Sequence, residues 1–92
     1  MFKETQINLF ESDEGFSVEV GRTSIRYSEG GKTVLVDSEF LYGPAPIGIW
    51  QSSITHWDND ETDVITTKER ELIVENIRRA FAFQGIYNIE VD

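Results

Sequence analysis

Thr66-Thr67-Lys68-Glu69-Arg70-Glu71-Leu72-Ile73-Val74-Glu75-Asn76-Ile77-Arg78-Arg79-Ala80-Phe81-Ala82-Phe83-Gln84-Gly85 is the most strongly patterned segment of the chain. Thr66 followed three residues later by Glu69 is a capping box, in which hydroxyl and carboxylate each satisfy a backbone N–H that a helix start leaves without a partner. Apolar residues then recur at the helical period, which predicts a helix over about residues 67–83. Ile73, Ile77 and Phe81 form its stripe, with Leu72, Ala80 and Gln84 on the flanks and Glu71, Glu75, Arg78 and Arg79 largely outside it. Glu75 and Arg79 are spaced for an i,i+4 ion pair of the favourable orientation. Gly85 suits the C′ position, where a left-handed backbone closes a helix.

A single helix of this length is marginal in water and needs a surface to cover. Downstream, Ile86-Tyr87-Asn88-Ile89-Glu90-Val91 alternates like a final strand, with Tyr87, Ile89 and Val91 facing one way. Upstream, the chain reads as short strands and turns. Gln6–Phe10 is one strand candidate, ending at the turn-like run Glu11–Gly15. Phe16, Val18 and Val20 alternate with Ser17 and Glu19 until Gly21 breaks the run. Ile25 and Tyr27 lead to Gly30-Gly31, a two-residue turn of the kind that needs positive φ, and Lys32–Asp37 is the return strand. Glu39-Phe40-Leu41-Tyr42 reads as a further strand or as a continuation past a bulge. Gly43-Pro44-Ala45-Pro46 interrupts pairing because proline has no backbone donor. Ile47–Gln51 and Ile54–Trp57 are short strand candidates. The pattern predicts an α+β fold: a twisted, mainly antiparallel sheet of about five to seven short strands. One C-terminal amphipathic helix packs on it and a final short strand follows, in a single domain spanning residues 1–92.

The charge balance narrows the function. The 17 acidic and 8 basic residues give a formal net charge of −9. Nucleic acid and anionic membrane surfaces are therefore poor partners, since both call for clustered Lys and Arg. A basic partner is favoured, although the same charge also serves solubility. Cysteine is absent, which excludes disulfides, thiolate metal sites and cysteine nucleophiles. Met1-Phe2-Lys3-Glu4-Thr5-Gln6 lacks the pattern of a signal peptide, and no apolar run reaches membrane-span length, so a cytoplasmic protein is expected.

Asp58, Asp60, Glu61 and Asp63 place four carboxylates within six residues, beside Trp57. An aromatic anchor with a charged rim is a common composition for a protein-binding surface, and these five residues are the candidate partner-binding set. Trp57 also fits a second role, as a core ring beneath the helix. As a calcium loop the segment would place Asp58, Asp60, Thr62 and Glu69 at the first, third, fifth and twelfth positions. Asp63 then occupies the sixth, where the sharp turn wants glycine, and Glu69 is already committed to the cap. No metal or cofactor is expected. His56 with Ser52, Ser53 and Asp58 lacks a nucleophile-elbow context, and Asp37 with Glu39 is a carboxylate pair that an acidic chain produces by chance. Gly30-Gly31-Lys32-Thr33 resembles only the end of a phosphate loop and reads as a hairpin turn. No catalytic residue is assigned.

Ile25-Arg26-Tyr27-Ser28-Glu29-Gly30-Gly31-Lys32, Val34-Leu35-Val36-Asp37-Ser38-Glu39, Ser53-Ile54-Thr55-His56-Trp57-Asp58, Thr66-Thr67-Lys68-Glu69-Arg70, and Ile73, Asn76 and Ile77 occur in this order. Together they resemble a family of small bacterial immunity proteins from polymorphic toxin systems, the family numbered seventy-four. The resemblance covers roughly residues 22–84, leaving the first strands and the last outside it. It implies a non-enzymatic protein that binds and neutralises a cognate toxin domain; with the chain's acidity, that toxin is expected to be basic. The alternative is a self-associating module, a homodimer formed through the final strand.

Overall fold

The computed structural model describes residues 1–41, 46–58 and 62–92. In chain order the elements are β1 (Phe2–Gln6), β2 (Leu9–Ser12), β3 (Phe16–Val20), β4 (Ser24–Glu29), β5 (Lys32–Phe40), β6 (Ile47–Ile49), α1 (Thr67–Phe83) and β7 (Ile89–Val91). The strands form one sheet whose spatial order is the order of the sequence. Every neighbouring pair is antiparallel except β6 and β7, which run parallel because α1 lies between them and carries the chain back. The architecture is the expected α+β sheet with one C-terminal helix and a closing strand.

The two-residue side-chain period sets the two faces of the sheet. Val18, Tyr27 and Val34 lie side by side across β3, β4 and β5, and all three are buried. Glu19, Arg26 and Leu35 form the adjacent row on the other face, where Glu19 and Arg26 pair at 3.6 Å. The buried face meets Ile73, Ile77, Ala80 and Phe81 of α1. Each large apolar side chain taken out of water there contributes about 1.5–3 kcal/mol.

Both ends of α1 are built as the sequence implies. Thr66 Oγ1 accepts from the Glu69 N–H at 3.1 Å, and the Thr66 N–H donates to Glu69 Oε1 at 3.1 Å. At the other end Gly85 has φ 86°, the Gly85 N–H donates to the Ala82 carbonyl and the Ile86 N–H to that of Phe81. That pattern is a Schellman close. The hairpin turn also stands, with Gly30 at φ 58° and Gly31 at φ 81°.

Several local expectations are corrected. Gln6–Phe10 is not a strand: Ile7 and Asn8 turn between β1 and β2, with Asn8 at φ 65°, a left-handed conformation that asparagine tolerates better than most residues. β5 runs unbroken to Phe40, so Glu39 and Phe40 continue the return strand without a bulge. Tyr42–Ala45 lies outside the described residues. Ile47–Gln51 is strand only to Ile49 and then enters a single 3-10 turn over Gln51–Ser53. Ile54–Trp57 is no strand; only His56 bridges, to Val64. Tyr87 precedes β7 and is 79% exposed, so it does not share the inward face of Ile89. Arg79 pairs with Glu14 of the β2–β3 turn through both carboxylate oxygens, while its guanidinium covers the rings of Phe2 and Phe16. Two aromatic faces and a bidentate carboxylate hold the side chain better than the helical Glu75 spacing would. Among the described residues no helix is long and apolar enough to cross a membrane.

Candidate functional site

Backbone hydrogen bonds tie the described ends of the acidic segment to the fold. The Asp58 N–H donates to the Thr33 carbonyl of β5 at 2.7 Å, the Trp57 N–H to the Asp63 carbonyl at 3.1 Å and the Ile65 N–H to the Thr55 carbonyl at 2.9 Å. These bonds fix both ends of the loop beside the β4–β5 turn. Asp60 and Glu61, two of the candidate binding residues, lie outside the described residues. Asp58 is exposed, and the Asp63 carboxylate pairs with Lys32.

Trp57 is 4% exposed, so its ring is a core ring and not a freely projecting anchor. It lies 6.4 Å from the ring of Tyr27, and the Lys32 ammonium sits 5.8 Å from its centroid. The residue nevertheless reaches a surface groove of about 240 Å³, which it lines together with Glu29, Lys32, Glu69, Leu72 and Ile73. The structure therefore brings Trp57 and Asp63 together through Lys32, and adds Glu29, Glu69 and the 53% exposed Leu72 to their neighbourhood. These additions were hard to see in the sequence, where Glu29 reads as a turn flank, Glu69 as a cap and Leu72 as the edge of the helix stripe.

Glu29 is held from beneath. The buried Tyr27 hydroxyl donates to Glu29 Oε1 at 2.8 Å and accepts from Asn76 Nδ2 at 2.9 Å, and Asn76 Oδ1 accepts from Arg79 at 3.2 Å. Arg79 in turn grips Glu14. A polar chain thus runs Glu29–Tyr27–Asn76–Arg79–Glu14 between helix and sheet. Burial, reinforced by the carboxylate it faces, raises the Tyr27 pKa well above the ordinary tyrosine range, so the hydroxyl keeps the proton it donates. The Arg79 guanidinium holds the Glu14 carboxyl below its usual value. Asn76 is the residue that an apolar stripe does not announce; its position between Ile73 and Ile77 was the available signal.

His56, Ser53 and Glu69 make structural hydrogen bonds. His56 Nδ1 lies 3.0 Å from Thr55 Oγ1, while Ser53 Oγ donates to the Trp50 carbonyl and accepts from the Asp37 N–H. Asp37 and Glu39 are exposed on the open face of β5. Glu69 serves the helix cap.

The fold and the site define an acidic α+β domain in which two carboxylates share a groove with a buried indole. Residues 17–92 match the family model described as Immunity protein 74, and the chain belongs to that family. The match extends past the segment that the sequence motifs suggested and includes β7. Comparison with curated proteins and with solved structures finds no match.

Proposed function

We propose that this protein is a non-enzymatic immunity protein of a bacterial polymorphic toxin system, acting in the cytoplasm by binding a cognate toxin domain. The observation that carries the reading is the family match over residues 17–92. The net charge of −9 supports a basic toxin, since complementary charge speeds encounter and discourages wrong partners. The binding surface is centred on the loop Asp58, Asp60, Glu61 and Asp63, with Trp57 acting from within the fold as the floor beside it. No catalytic residue, metal or cofactor takes part in this reading.

Co-expression tests it. Cells making the polypeptide encoded beside this gene should survive when they also make this protein, and Asp60→Asn with Glu61→Gln should reduce that protection. Survival that the pair leaves unchanged would put the binding surface elsewhere. Killing in both cases would reject the immunity reading.

A second reading, self-association, has one observation in its favour: β7 is the last strand of the sheet, so one of its edges faces away from β6. Sedimentation separates the two, because a monomer at all concentrations rejects the homodimer.

A further inference from the structure

We infer that the groove over Trp57 is a seat for one arginine side chain of the protein partner. The inference rests on the binding reading above and specifies its chemistry.

Two observations converge there. First, the groove already receives a cation: the Lys32 ammonium lies 5.8 Å over the Trp57 ring and pairs with Asp63. The indole face is therefore placed to receive a positive charge. Second, two carboxylates flank the same groove, Glu29 and Glu69, each fixed through one oxygen, by the Tyr27 hydroxyl and by the Thr66 N–H respectively. Carboxylates held in this way do not have to be ordered on binding, which reduces the entropic cost of the complex.

Together these specify the occupant. A guanidinium is planar, stacks on an indole and divides its donors between two carboxylates, whereas an ammonium is a compact point charge. Leu72 and Ile73 supply an apolar wall for the methylene stem. Entry displaces Lys32 from the ring, so Lys32 acts as a built-in competitor.

The test uses the full chain and N-acetyl-Ala-Arg-Ala-amide, followed by the two tryptophan indole N–H resonances, with Trp50→Phe making the assignment. The Trp57 resonance should move saturably at millimolar peptide. Glu29→Gln keeps an acceptor for Tyr27 but removes the charge, and should weaken binding by roughly two- to fivefold. Lys32→Met should tighten it. A stationary Trp57 resonance, an equal shift with the uncharged citrulline peptide, or indifference to both substitutions would overturn the seat. If the toxin binds tightly while the peptide leaves Trp57 unmoved, the arginine seat fails and the immunity function stands. If no toxin binds but the peptide does, the function fails and the cation site stands.

Discussion

At the scale of the residue, Tyr27 joins stability to the site. Its hydroxyl is both donor and acceptor in the chain from Glu29 to Glu14. Tyr27→Phe should cost about 1–3 kcal/mol in urea unfolding, because Asn76 Nδ2 then stays buried without its acceptor. The same group sets an alkaline limit. Its folded pKa is raised and the unfolded chain ionises near the ordinary value of 10.0, so its contribution is complete below that pH and is lost as pH rises above it. In that range the unfolding free energy should fall by about 1.4 kcal/mol more per pH unit than in Tyr27→Phe. Equal slopes would show that the hydroxyl titrates normally. Glu14 works in the opposite sense: its pKa is lowered by Arg79, so its contribution is present at neutral pH and is lost as pH falls through the carboxylate range. Glu14→Gln should flatten that acid loss.

At the scale of the element, α1 is where sequence and structure agree most closely, and the reason is local. A capping box, a helical apolar period and a C′ glycine are all settled within one turn of the residues that carry them. Thr66→Ala should cost about 1 kcal/mol. Gly85→Ala, with φ at 86°, should cost about 1–2 kcal/mol. Both are read from thermal or urea unfolding. The Gly30-Gly31 hairpin was legible for the same reason. What escaped depends on contacts distant in sequence. Ile7-Asn8 turns because β1 and β2 pair around it, and Asn8 alone is a weak turn signal. Arg79 forms its ion pair with Glu14 because Phe2, Glu14 and Phe16 meet the helix from the sheet, up to 77 residues away in sequence. Of the candidate site, composition singles out Trp57 and the acidic residues beside it, and their role in binding is a proposal. The groove was not legible, since Glu29 and Glu69 come together only once α1 lies over β4.

At the scale of the molecule, charge and topology divide the labour. The sheet keeps the sequence order of its strands, and α1 seals one face of it. Ile77 lies fully buried at that contact, and Ile77→Ala should cost about 2–5 kcal/mol while leaving the charge of the surface unchanged. A surplus of nine negative charges acts at longer range, steering a basic partner towards the molecule before any contact forms. Such steering weakens with ionic strength. The immunity account is therefore tested by co-purifying this protein with the polypeptide encoded beside its gene, at low and then at high salt. The account expects stable co-elution whose affinity falls as salt rises and falls further in Asp60→Asn with Glu61→Gln. Absence of co-elution at both salt concentrations would contradict it.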